Sequence, residues 1–302
     1  MGPLMVPGLT HKSFLSFDGT RIAYQVRGPA GAPALVLANG LGGSYEAFRH
    51  IYAALGERYR IFCWDYRGLF RSERPQDLAT LSIPSHCRDL AALLEHENVS
   101  EAIFIGWSMG VQVSFELFRH HRRHMRAIVA INGTYGTPFR SALASRLTRY
   151  VIPPVLGAMK ARAKLVGRLT HRAVGWDGLV PLLVRAGLAS EQVDHEAMRD
   201  IAEDFKTIDF ALYSDQLRAL GHHDARDVLA AIDIPVLIIT GDQDVMTPVF
   251  TARKMNQKIS GSRLIVLEGG SHYTPLEYPR EIGDEVRLFV RAIPGWGQAE
   301  AA

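Results

Sequence analysis

The chain opens with two short stretches in which apolar and polar positions alternate, residues 12–17 and 21–27, separated by Asp18-Gly19-Thr20. Alternation predicts half-buried strands, and the Asp-Gly turn between them predicts a hairpin. The pattern then changes. Ala34-Leu35-Val36-Leu37-Ala38 is apolar throughout, as suits a strand covered on both faces. A backbone-permissive loop, Asn39-Gly40-Leu41-Gly42-Gly43, follows it. Helical spacing appears at 45–55, a strand at 60–64, a loop over 65–80, and a helix opening near Ser82 that carries Ile83, Leu90, Leu93 and Leu94 to about His96. A strand at 102–105, a helix at 111–121 and a strand at 126–131 complete the first half. The rhythm resumes late, with strand 235–240, helix 247–259, strand 263–267 and helix 279–292. Strands and helices in alternation predict an α/β fold, a mostly parallel sheet flanked by helices on both faces.

Residues 136–224 break that rhythm. They hold no strand-like run, carry Pro153-Pro154, and read as several helices. The expected organisation is therefore a core of residues 1–135 and 225–302, with 136–224 inserted as a helical cap over the carboxyl edge of the sheet, where open α/β sheets bind ligands. Charge is unevenly spread within it. From Gly136 to Trp176 there are eight basic residues (Arg140, Arg146, Arg149, Lys160, Arg162, Lys164, Arg168, Arg172) and no acid, whereas acids dominate from Glu191 to Asp215. Two readings follow: solvated helices pairing with one another, or a basic rim for an anionic acyl substrate or a membrane surface.

Composition narrows the function classes. Apolar content of 47% and charged content of 22% fit a globular protein with a sizeable core, and a net charge of +3 without a basic tail argues against nucleic acid. Cys63 and Cys87 are not spaced as a metal or redox pair and read as buried thiols. Residues 1–10 show no basic segment leading into an apolar one, and no apolar run is long enough to span a bilayer, so a cytoplasmic protein without a membrane partner is expected. No metal-ligand or dinucleotide-binding pattern is present, and no cofactor is expected. The sequence does not set an oligomeric state.

Chemistry enters at Gly106-Trp107-Ser108-Met109-Gly110, wedged between an apolar strand and a helix. This is the pattern of a sharp strand-to-helix turn, with small residues flanking a serine held in strained backbone at a helix N-terminus. Ser108 reads as a nucleophile. A serine hydroxyl needs a base oriented by a carboxylate. Of twelve histidines, His272 lies in the Gly-rich loop Gly269-Gly270-Ser271-His272, directly after the last strand and hence at the same sheet edge. His120, His121 and His124 fall beyond the far end of the serine helix, His222 and His223 at the cap exit, and His86 on an early helix. Two carboxylates compete in Gly241-Asp242-Gln243-Asp244. Asp244, late in the turn, is favoured as the orienting acid, and Asp242 is expected to satisfy loop amides or cap the turn.

The order Ser108, Asp244, His272, together with the hairpin, Asn39-Gly40, Asp65-Tyr66-Arg67-Gly68 and Gly270-Ser271-His272, resembles the α/β-hydrolase superfamily across nearly the whole chain. The resemblance implies an oxyanion hole from the main-chain amides of Met109 and Leu41. The chain departs from the usual pattern in having Asn39 where many relatives carry histidine, and Phe70 where many carry glycine. Leu69 and Phe70 read as pocket lining or, the favoured reading, as a packed hydrophobic hook, Trp107 as a pocket or core aromatic, and Met159, Leu182, Leu183, Phe205, Phe210 and Tyr213 as cap candidates for an apolar pocket. The implied activity is a cofactor-independent serine hydrolase acting on a small-molecule carboxylic ester. The same triad also suits a C–C hydrolase, thioesterase, acyltransferase or perhydrolase, and the same fold suits a small-molecule receptor.

Overall fold

The computed structural model describes residues 8–140, 148–174 and 176–296. Residues 1–7 and Arg146 lie outside them, as do the side chains of Arg140 and Arg149. Among the described residues the strands are β1 (Thr10–Leu15), β2 (Arg21–Arg27), β3 (Ala34–Ala38), β4 (Arg60–Trp64), β5 (Ala102–Trp107), β6 (Met125–Ile131), β7 (Val236–Gly241) and β8 (Arg263–Leu267). They form one sheet in the order β1-β2-β4-β3-β5-β6-β7-β8. The hairpin β1–β2 and the β2–β4 pair are antiparallel; every other pairing is parallel.

Helices α1 (Arg49–Leu55) and α11 (Pro279–Ala292), the latter preceded by the one-turn α10 (Thr274–Glu277), cover one face, and α2 (Ile83–His96), α3 (Met109–His121) and α9 (Val249–Lys258) the other. The strand residues divide by parity. Val36, Phe104, Ile128 and Ile238 point into the α2–α3–α9 layer, whereas Leu35, Leu37, Ile103, Ile105, Val129 and Leu237 point into the α1–α11 layer. This period of two, apolar on both sides, is why β3 and β5 read as unbroken apolar runs. Both are wholly buried.

Element boundaries differ from expectation where a neighbour intervenes. β1 starts two residues early and ends at Leu15, because only Phe14 of that edge strand is buried and little alternation marks its register. Tyr45–Phe48 forms a 3₁₀ turn ahead of α1. β5 and α3 extend inward until they meet at Ser108, which caps α3. Cys63 and Cys87 are buried free thiols.

Between β6 and β7 the chain builds α4 (Thr148–Ala161), α5 (Ala163–Val174), α6 (Leu179–Arg185), α7 (His195–Phe205) and α8 (Phe210–His222). An isolated antiparallel bridge joins Gly136 to Asp224, the two ends of this excursion. Further ties fasten it. Thr137 N–H donates to the His223 carbonyl at 2.7 Å, Gln216 Nε2 to the Arg67 carbonyl at 3.2 Å, and Asp194 N–H to the Leu276 carbonyl at 2.9 Å. No described helix is long and apolar enough to cross a membrane.

Candidate active site

Parallel pairing puts the carboxyl ends of β3, β5, β6, β7 and β8 at one edge, and the loops leaving them carry Leu41, Ser108, Asn132, Asp244 and His272 respectively. Ser108 sits between β5 and α3 with φ +56° and ψ −113°, a conformation costly for a residue with a Cβ. Close packing holds it there. A Cβ on Gly110 would lie 1.9 Å from the Ala38 carbonyl oxygen, and one on Gly106 would lie 2.6 Å from the Gly110 carbonyl. Ser108 N–H donates to the Ile131 carbonyl at 3.0 Å, fixing the turn against β6.

His272 Nε2 lies 2.9 Å from Ser108 Oγ, and His272 Nδ1 lies 2.9 Å from Asp244 Oδ2. An ionised carboxylate only accepts, so Nδ1 carries the hydrogen and Nε2 is left as the acceptor facing the serine hydroxyl. Burial opposes ionisation of Asp244, but His272 beside it and the hydrogen bonds from His272 and Thr247 outweigh burial and hold the carboxyl at about 2. Asp244 Oδ1 accepts from the Met246 and Thr247 amides, both at 2.8 Å, and Oδ2 also accepts from Thr247 Oγ1 at 2.6 Å and Asn132 Nδ2 at 2.8 Å. The structure thus brings Ser108, Asp244 and His272 together, with Asp244 serving its own turn as well. Asp242 is exposed and accepts from the Gly269 amide at 2.8 Å, as expected for a loop carboxylate.

The remaining histidines lie elsewhere. His86 is buried on α2 against the Tyr66 ring, and burial drives its pKa down to about 3. His223 bonds to Glu116 at 3.0 Å and to Gln112 at 3.0 Å, stitching the end of the helical excursion to α3.

Two supporting residues escape a reading of the sequence. Asn132, wholly buried with φ +42°, donates from Nδ2 to both Asp244 and the Ser271 carbonyl (2.9 Å), while its Oδ1 accepts from Thr274 Oγ1. It therefore holds the Asp244 loop to the His272 loop. Tyr66 Oη donates to the Asn39 carbonyl at 2.6 Å and pins the start of the loop that carries Leu41. The available signal for Asn132 was an Asn-Gly directly after an apolar strand at the functional edge.

Met109 is the first residue of α3, and Leu41 borders the site. Gly40 passes so close that a Cβ on it would sit 3.2 Å from Ser108 Cβ. Gly42, at φ +80°, and a Gly43-to-Gly40 bond of 3.0 Å curl this loop. Asn39 Nδ2 reaches Cys63 Sγ at 3.2 Å, a local bond in place of a histidine. Phe70 takes φ +50°, so the loop keeps left-handed backbone despite a bulky side chain, and Phe70 and Leu69 pack on the core without lining the cavity.

A cavity of about 390 Å³ lies over Ser108 and His272. Leu183, Phe205 and Tyr213 line it, as do Thr170, Ala173 and Val174 of α5 and Met198 and Ile201 of α7. Trp107 serves both expected uses: it borders the cavity and donates from Nε1 to the His272 carbonyl at 2.9 Å. Other cap candidates are corrected. Leu182 is 51% exposed because it points away from its neighbour Leu183, Phe210 is packed beneath Phe205 and Tyr213, and Met159 stays outside the lining. Among the described residues no Lys, Arg, Asp or Glu lines the cavity. Of the basic residues in this helical excursion, Lys160 pairs with Asp215 at 2.7 Å, whereas Arg162, Lys164, Arg168 and Arg172 are exposed and form no ion pair among the described residues. A second depression of about 470 Å³, bordered by Pro33, Arg60, Glu97 and Trp296, lies at the amino ends of the strands. Among the described residues no cluster of three His, Cys, Asp or Glu side chains is placed to hold a metal.

The chain is similar over almost its full length to 3-oxoadipate enol-lactonase 2 of Acinetobacter baylyi, 26% identical over 299 residues that cover 95% of this chain and 99% of the relative. It is similar to a putative carbamate hydrolase of Serratia proteamaculans, 26% identical over 88% of this chain and 91% of the relative. Its fold superposes on a crystal structure of a hydrolase from Pseudomonas aeruginosa with a TM-score of 0.76 at 22% identity, covering 93% and 98% of the two chains. The alpha/beta hydrolase fold family matches residues 33–279, and with the strand order and the loops at its carboxyl edge this establishes that the chain belongs to that family.

Proposed function

We propose that the protein is a serine hydrolase of uncharged carboxylic esters, open-chain or lactone, with residues 136–224 acting as a cap over a core of 1–135 and 225–302. The observation that carries this reading is the continuous hydrogen-bonded line Ser108–His272–Asp244 beneath a cavity whose described lining holds no Lys, Arg, Asp or Glu. His272 Nε2 takes the proton as Ser108 Oγ attacks the ester carbonyl. Asp244 keeps the imidazole in the required tautomer and stabilises its charged form. The amides of Met109 and Leu41 receive the oxyanion, each contributing roughly 3–4 kcal/mol. His272 then protonates the leaving alcohol, and a water deprotonated by His272 releases the acid from the Ser108 ester.

Substrate charge follows from the lining. Bringing an unpaired carboxylate into an apolar cavity costs several kcal/mol. The basic residues of α5 do not compensate, because they face outward. Neutral acyl chains and lactones are therefore the expected substrates. Enol-lactonase relatives support the ester chemistry and not the neutral charge, since a lactone is a cyclic ester and a 3-oxoadipate enol-lactone keeps one free carboxylate. The test is steady-state hydrolysis of matched p-nitrophenyl esters and lactones with and without a terminal carboxylate. Neutral members should turn over at least tenfold faster in kcat/KM, equivalent to about 1.4 kcal/mol. Equal rates for charged and neutral members contradict the assignment, and ligand-induced stabilisation without turnover would mark a receptor.

A further inference from the structure

The outer face of the helical excursion is unlike the rest of the surface. Helix α5 turns Val166, Thr170, Ala173 and Val174 inward, and the last three line the cavity over Ser108. Its outward positions form two adjoining rows at four-residue spacing. One is Leu165 and Leu169, 43% and 55% exposed; the other is Lys164, Arg168 and Arg172, all exposed. Helix α4, packed beside it, presents Val151 and Val155, both more than half exposed, and Trp176 stands exposed just beyond the end of α5. Between Gly136 and Trp176 the sequence has no acidic residue.

We infer that the α4–α5 face docks on an anionic lipid surface. Exposed leucine, valine and tryptophan beside arginine and lysine that form no ion pair among the described residues are the two halves of interfacial binding: shallow burial of apolar side chains, and attraction of cations to lipid phosphates. Charge decides between occupants. A second copy seated on the same face by two-fold symmetry would set Lys164, Arg168 and Arg172 against their own counterparts, with no acid within α4 or α5 of either copy to pair them. A bilayer rich in phosphate headgroups meets the basic row with opposite charge. Docking in this orientation also sets α5, one wall of the cavity, against the lipid.

The experiment is co-sedimentation of the full chain with vesicles of phosphatidylcholine alone and with a third of the lipid replaced by phosphatidylglycerol, at low and high salt. The unsubstituted protein should partition onto the anionic vesicles only and leave them in high salt. Each basic residue is worth roughly fivefold in partition, so Arg168→Glu with Arg172→Glu should reduce binding more than about tenfold. Leu165→Ser with Leu169→Ser should do likewise, and both pairs should retain hydrolysis of a soluble ester. Failure to bind anionic vesicles, equal binding to neutral ones, or indifference to the charge reversal overturns the inference. So does concentration-dependent self-association abolished by the leucine pair, which would assign the face to a second copy.

Discussion

Replacing Asp244 by asparagine isolates what the carboxylate does, because every group that faces it is a donor. Oδ1 accepts from the Met246 and Thr247 amides, and Oδ2 accepts from His272, Asn132 and Thr247 Oγ1. In Asp244→Asn the amide nitrogen must oppose one set. Turned toward the two backbone amides, it leaves both without an acceptor, at about 1–3 kcal/mol each. Turned toward His272, it costs less. The Thr247 hydroxyl can rotate, Asn132 Nδ2 keeps the Ser271 carbonyl, and the imidazole can accept at Nδ1 by moving its hydrogen to Nε2. The second orientation therefore wins, and it places N–H rather than a lone pair opposite Ser108 Oγ. The expected loss in kcat is about 10³–10⁴, or roughly 4–5.5 kcal/mol in the barrier, with a modest loss of stability. Saturating p-nitrophenyl ester hydrolysis and thermal unfolding measure the two effects. Asp242→Asn is the control and should stay within about threefold, since that exposed carboxylate supports only the Gly269 amide. A folded Asp244→Asn enzyme within tenfold of the parent, or a larger loss from Asp242→Asn, would refute the reasoning.

Ionisation of Asp244 also stabilises the fold, because its carboxyl is lowered from 3.8 to about 2. That contribution, roughly 2 kcal/mol, is complete above about pH 5 and is lost as pH falls through the unfolded and then the folded value. Urea midpoints should thus show the gap between the parent and Asp244→Asn narrowing from pH 5 to pH 2; a constant gap contradicts the assignment. Asn132→Ala removes the tie between the acid and base loops and leaves Thr274 Oγ1 and the Ser271 carbonyl without that partner, so a loss of about 3–5 kcal/mol in urea unfolding is expected. Its kcat should fall at least tenfold as His272 loses its fixed position, and unchanged kcat would remove Asn132 from the site. Gly110→Ala, with its Cβ forced to 1.9 Å from the Ala38 carbonyl, should fail to fold or melt far below the parent. Gly157→Ala, in α4 with nothing within 4 Å of the new methyl, should be neutral or stabilising by about 0.5–1 kcal/mol.

Legibility in the sequence followed the range of the interactions involved. β3 and β5 were readable because burial on both faces leaves no polar position within them. Ser108, Asp244 and His272 were readable because each lies in a short loop next to an apolar strand, and parallel order carries those loops to one edge. Asn132 was not, since its value comes from partners 112, 139 and 142 residues away. The cavity lining was only partly readable. Leu182 and Leu183 are equally apolar, and only the packing of α6 against α7 turns one outward and the other in. Phe70 shows the opposite case, where the fold imposes a left-handed backbone that the residue type disfavours.

The central claim is a covalent intermediate on Ser108. Rapid-quench mass spectrometry of the protein mixed with a p-nitrophenyl ester measures it directly, read beside steady-state turnover of the parent and Ser108→Ala. The account predicts an added acyl mass that maps to the peptide bearing Ser108, with Ser108→Ala folded, unlabelled and slower by orders of magnitude. Undiminished turnover in Ser108→Ala, or an acyl group mapped to another residue on the pathway, would contradict it.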